Sequence, residues 1–179
     1  RLLKDIRDIA TRKGEIDWYP LGSIIVGQKP PDSHTWVADG HQRLITLTIL
    51  IAILRDLEGD GALKARLEAC IVGRDGDGRP AFRLTTLEAA EQCLQVYVQM
   101  AGATARPLDE ADASISESEN NIIANRDYLR GEVEAMSAEE RRTLARFLLD
   151  GCVILVQAVD DQKVARLLFS TMHDTGLKP

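Results

Sequence analysis

The chain has 179 residues, is 45% hydrophobic and 28% charged, and carries a net charge of −6. That suits a globular domain with a sizeable core and excludes an intrinsically disordered segment. The acid excess argues against a surface basic enough to bind nucleic acid all over. Charge is unevenly spread: residues 1–50 hold seven Lys and Arg against six Asp and Glu, so an anion is best tolerated there. Three widely spaced cysteines (Cys70, Cys93, Cys152) form neither a disulfide framework nor a metal-ligand pattern. They read as core thiols of a cytoplasmic protein. The longest apolar run, Leu44–Leu54, is eleven residues, too short to span a bilayer. The chain opens on Arg1 and closes on a proline, which reads as an excised piece of a longer protein.

In chain order, Leu2, Leu3, Ile6, Ile9 and Ala10 fall on one helical face within residues 1–13, with Gly14 as the stop. Tyr19 to Val26 reads as a strand rich in β-branched residues. Gly22 inside it marks a bulge or the close approach of another backbone or a ligand. A proline loop (28–33) leads to a second short strand, Trp36-Val37-Ala38. A polar turn follows (Asp39-Gly40-His41-Gln42-Arg43), then a helix apolar almost all round to Leu57, expected to be central and buried. Residues 62–69 predict a short helix. Cys70–Val72 and Ala81–Leu84 predict a hairpin about Asp75-Gly76-Asp77-Gly78. That turn lacks the closing ligands of a calcium loop. Thr85 or Thr86 is expected to cap a helix to residue 101, and another helix runs from 115 to Met136. Ser137-x-x-Glu140 is a capping box for a helix that Gly151 ends as its C′ residue. Cys152–Val156 is a continuous apolar run, expected to be a strand buried on both faces. Asp160 or Asp161 opens a last helix that Gly176 ends.

The predicted class is α+β: a small α/β core over residues 1–84, then a mostly helical extension over 85–179 with one buried strand near 152–158. The element that organises it is the strand–turn–helix corner at Asp39–Arg43. Free backbone N–H groups and the positive end of the helix dipole meet there, the setting of a phosphate or nucleotide site. Arg43 offers a planar fork for two phosphate oxygens, or else pairs with Asp39 or Asp17. Asp39 can orient a water or Mg²⁺, or cap the helix. Gly40 lets a ligand or the chain approach closely. Gln42 can hydrogen-bond phosphate or brace the turn, and His41 can act as an acid or base or as a simple donor.

Two stretches carry a family resemblance. Leu21-Gly22-Ser23-Ile24 followed by Val37-Ala38-Asp39-Gly40-His41-Gln42-Arg43-Leu44-Ile45-Thr46-Leu47 resembles the family catalogued as domain of unknown function 262. This is the N-terminal half of GmrSD-type modification-dependent restriction systems, whose hallmark is an Asp-Gly-Gln-Gln-Arg turn followed by Leu-Thr-Thr-Leu. Near the other end, Phe169-Ser170-Thr171-Met172-His173-Asp174-Thr175-Gly176 is similar to its second signature. His41, Ile45, His173 and Thr175 depart from the family pattern.

The resemblance implies a ParB/sulfiredoxin-like core and a nucleotide-binding, NTP-hydrolysing domain of a DNA-defence protein, working with ATP or GTP and Mg²⁺. It also implies DNA and a C-terminal nuclease domain as partners. Asp39, Gln42 and Arg43 would be catalytic, with Asp39 on the metal. Gly22, Ser23, Gly40, His41 and Arg43 would hold the nucleotide, and His173 and Asp174 would approach the site or cap the last helix. Sulfinic-acid repair is excluded, because no cysteine lies between Asp39 and Arg43. The alternatives are a non-catalytic DNA- or nucleotide-sensing ParB-like module, and a degenerate scaffold for a nuclease.

Overall fold

The N-terminal amphipathic run folds as α1 (Leu2–Ala10), burying Leu3 and Ile6. The structure is a computed structural model and describes residues 2–10, 18–28, 35–86, 88–108, 116–161, 163–165, 167, 168 and 170. Gly14, residues 29–34 of the expected proline loop and the expected end of the last helix lie outside the described residues. Next come β1 (Tyr19–Gln28), β2 (Thr35–Asp39), α2 (His41–Leu57), α3 (Gly61–Ile71), β3 (Val72–Arg74) and β4 (Pro80–Phe82). α4 (Glu88–Leu94) runs on as a π-helical turn (Gln95–Gln99), and α5 (Glu117–Glu134), α6 (Ala138–Asp150) and β5 (Cys152–Val159) complete the order. The fold is α+β, as expected.

The chain forms two compact units, one from Trp18–Arg43 with Cys152–Pro179 and the other from Arg1–Asp17 with Leu44–Gly151. The reason is strand pairing: β1 takes β2 as an antiparallel partner and β5 as a parallel one, and a parallel partner requires a long crossover.

In the sheet unit the strand order is β2-β1-β5. The apolar run that marked β5 is indeed paired in parallel, but it is not buried on both faces. It lies at an edge, with Leu155 64% and Val156 54% exposed. Residues 163–165 are helical and begin on Asp161, whose side chain accepts from Lys163 N at 2.6 Å.

In the helical unit, Leu44–Leu57 of α2 supplies Ile49, Leu50, Ala52, Ile53 and Leu54 to the core, each at most 2% exposed. That burial on every side is what a helix apolar all round requires. α3 begins on Asp60, whose side chain accepts from the N–H groups of Ala62 and Leu63. It runs two residues further than expected, so Cys70 and Ile71 are helical rather than strand. Leu63, Leu67 and Ile71 form its buried stripe and leave Cys70 exposed on the other face, which corrects its reading as a core thiol. Cys93 is buried, and burial pushes the half-buried Cys152 thiol up to about 11.

The Asp75–Gly78 turn closes on itself, Asp75 accepting from the N–H groups of Asp77 and Arg79. Ser137 and Glu140 form the expected capping box, and Ser116 with Glu119 forms another at α5 that the same spacing would have revealed. Gly151 ends α6 with φ −110°, not in the left-handed region of a C′ glycine. It is needed for space: a Cβ there would fall 2.6 Å from the Phe147 ring. Ser137→Ala should lower stability by about 1 kcal/mol in urea denaturation; no measurable change would remove the cap as a determinant of α6.

Candidate functional site

The corner is built from three irregularities in the sheet unit. The first is in β2. Ile25 pairs with Asp39 and the next residue, Val26, with Val37, so Ala38 is an extra residue, a β-bulge. Bulges re-aim side chains at strand ends. Ile25 and Gly27 share a face of β1, and their partners are Asp39 and Trp36. The register therefore turns Asp39 to the face that carries Trp36.

The second is Gly40, at φ +90°, a conformation costly for any residue with a Cβ. A Cβ there would also lie 2.5 Å from Ile24 Cγ2. One glycine thus takes the chain from strand to helix against the side of β1. His41, Gln42 and Arg43 form the first turn of α2, which contains no acidic residue, so the positive end of the helix is not neutralised by its own side chains.

The third is in β1. Between the pairs Pro20–Val153 and Ser23–Leu155 the strand advances three residues against two on β5. The extra residue lies at Leu21–Gly22, and Gly22 has φ +97°. The bulge expected at Gly22 is therefore present, and what comes close to it is a side chain rather than a backbone or a ligand. A Cβ on Gly22 would lie 3.0 Å from Arg43 Cζ, 3.1 Å from Nη2 and 3.2 Å from Nη1. Arg43 Nη1 donates to the Ser23 carbonyl. Among the described residues Arg43 has no carboxylate partner, so the alternative pair with Asp39 is not formed; Asp17 lies outside the described residues.

Asp39, Gly40, His41 and Arg43 are half-buried and Gln42 is exposed. No hydrogen bond or ion pair holds the Asp39 carboxylate or the His41 ring among the described residues. The structure thus brings Gly22 and Ser23 to Arg43, and Ile24 to Gly40. Ile24 was not singled out in the sequence; its signal was its place beside Gly22-Ser23. His173 and Asp174 lie outside the described residues. Trp36 is the other residue sequence reasoning passed over. Its indole lies on Gly27, where a Cβ would sit 2.0 Å from the ring, and its buried Nε1 has no hydrogen-bond partner among the described residues.

No cluster of three or more His, Cys, Asp or Glu suited to a metal occurs among the described residues. A preformed protein cage for a cation is therefore not present there. Mg²⁺ does not need one: it keeps several waters and binds through one or two carboxylates plus substrate phosphates. The Asp39 carboxylate, without a partner among the described residues, fits that mode.

The sheet unit carries five Lys and Arg against five Asp and Glu, and the helical unit 17 against 23. The acid excess thus lies in the other unit, and the corner belongs to the neutral one. Among the described residues no helix is long and apolar enough to cross a membrane.

No curated protein matches the chain. Over residues 1–179 it matches the family described as GmrSD restriction endonuclease, N-terminal domain, as the two signatures implied. With a glycine-built corner ahead of a buried helix and a match along its whole length, the chain belongs to the GmrSD N-terminal domain family, a module of restriction systems.

Proposed function

We propose that the Asp39–Arg43 corner binds the phosphates of a nucleotide, ATP or GTP, and supports its hydrolysis. The observation that carries this reading is the state of Arg43: its guanidinium lies over the vacant Cβ site of Gly22 and donates to the Ser23 carbonyl, with no carboxylate partner among the described residues. A cation held that way keeps its charge for an incoming anion. Backbone N–H groups of the first turn of α2 add donors pointing the same way.

The parts divide the work by chemistry. Arg43 binds phosphate oxygens and stabilises charge developing on the transferred phosphoryl group. Gly40 keeps the approach open, and Gln42 and His41 donate from the helix edge. Asp39 orients a water, and it would hold a Mg²⁺ arriving with the phosphates. That ion would supply further neutralisation of phosphate charge. In a restriction system such a domain would gate a nuclease domain acting on DNA, with nucleotide state as the signal.

The test is a thermal-shift series with ATP, GTP and Mg²⁺, with phosphate release measured on the same samples. At about 100 times Kd, a ligand bound only by the folded protein stabilises it by about 2.7 kcal/mol, an unmistakable rise in Tm. Stabilisation with turnover is the expected result. Stabilisation without turnover would reduce the site to a sensor. No response to either nucleotide would overturn the proposal. Salt-dependent DNA binding with no nucleotide effect would assign the corner to DNA phosphate instead.

A further inference from the structure

We infer that Gly22 is a positioning residue whose bulge forms a backbone seat for the Arg43 guanidinium, presenting the Nε–Nη2 edge of the fork to phosphate. The phosphate end of this inference rests on the reading above; the seat itself rests on geometry alone. The point where a Gly22 Cβ would stand is nearly equidistant from three guanidinium atoms, with Cζ the nearest at 3.0 Å. An in-plane neighbour would be closer to a nitrogen than to the central carbon. The vacant Cβ site of Gly22 therefore lies over the flat face of the group.

The bulge has a second consequence. It places the Ser23 carbonyl where Arg43 Nη1 donates to it. One face and one nitrogen are thereby held. Nε and Nη2, the two nitrogens along the remaining edge, have no partner among the described residues. Two such donors side by side match two oxygens of one phosphate. Glycine is favoured twice over at this position, because φ is +97° and because a Cβ would push the guanidinium aside by a few tenths of an ångström. Gly22 thus acts on phosphate through Arg43, not by touching it, and Ser23 contributes its carbonyl.

The inference is tested with inorganic pyrophosphate and Mg²⁺ as the probe, titrated by calorimetry into the full chain, Gly22→Ala, Arg43→Ala and the double variant. Gly22→Ala should lose roughly tenfold in affinity, the scale on which a misplaced binding group is felt. The double variant should bind no more weakly than Arg43→Ala alone. A double variant weaker than Arg43→Ala by a further order of magnitude would show that Gly22 acts independently, and would overturn the inference.

Side-chain ¹⁵N spectra of the wild-type chain read the seat without ligand and without Gly22→Ala. The held Nη1 should give resolved, slowly exchanging proton signals for Arg43. Signals averaged by free rotation would overturn the inference even if Gly22→Ala fails to fold. Resolved signals in a chain that binds neither pyrophosphate nor nucleotide would leave the seat standing and remove the phosphate reading.

Discussion

Arg55→Met is expected to lower the unfolding free energy by about 3–5 kcal/mol, the cost of breaking a buried ion pair from one side. Arg55 is 1% exposed and sits in the last turn of α2. Its Nε donates to Asp56 Oδ1 at 2.8 Å and its Nη1 to Glu68 Oε2 at 2.9 Å. The same guanidinium bonds the carbonyls of Gln99 and Met100, each at 2.7 Å, and Val98 at 3.3 Å. These are carbonyls at the end of the π-helical turn, which a helix terminus leaves without intrahelical partners. Methionine fills much of the volume but satisfies none of the acceptors, so buried oxygens would lose their partner.

Asp56 is tied into the same network. It accepts from the backbone N–H groups of Gly102 and Thr104 and from the Thr104 hydroxyl. Burial pushes its carboxyl up, but hydrogen bonds from Arg55, Thr104 and Gly102 and the charge of Arg55 together outweigh burial and hold it below 3.8. A carboxyl depressed on folding contributes stability that is present above its unfolded value and is lost as pH falls through the folded one. Wild-type stability should therefore drop below pH 3.8, and Arg55→Met should blunt that drop by removing two of the depressing contacts. Urea denaturation across pH 2–7 checks both statements. A loss of under 1 kcal/mol at neutral pH would show that the network is not holding the helical unit together.

Arg43→Ala is expected to cost roughly ten- to hundredfold in affinity for nucleotide or pyrophosphate, the worth of a charge-assisted bidentate contact. It should cost little stability, because the side chain spends one hydrogen bond on a carbonyl and pairs with no carboxylate among the described residues. Arg43→Lys should not restore binding: an ammonium is a point charge and cannot offer two donors along one edge. Calorimetric titration paired with urea denaturation separates the two quantities. If Arg43→Ala binds as wild type does, the corner is a packing solution and its glycines serve only the turn. If it loses several kcal/mol of stability instead, the guanidinium is structural.

Much of this molecule was legible in the residue order, because the features concerned are local. The helical period of Leu2–Ala10, the S-x-x-E box at Ser137 and the β-branched run of β1 each report their own conformation, as does the glycine anomaly at position 22. The Asp-Gly-x-Gln-Arg corner was legible for the same reason: strand, glycine turn and helix start are contiguous. What only tertiary structure could decide is who meets whom. Parallel pairing of β1 with β5 joins segments more than a hundred residues apart, so neither the two-unit partition nor the exposed edge position of Cys152–Val159 is written locally. An apolar run signals pairing in a sheet, yet says nothing about how many neighbours that sheet supplies. Arg55 gives no sign in sequence that it terminates a distant π-helical turn, because its acceptors are backbone carbonyls and carry no side-chain signature. The seat of Arg43 is of the same kind: a missing Cβ and a carbonyl oxygen, 21 and 20 positions back, meet a charged fork, and only the folded chain brings them together.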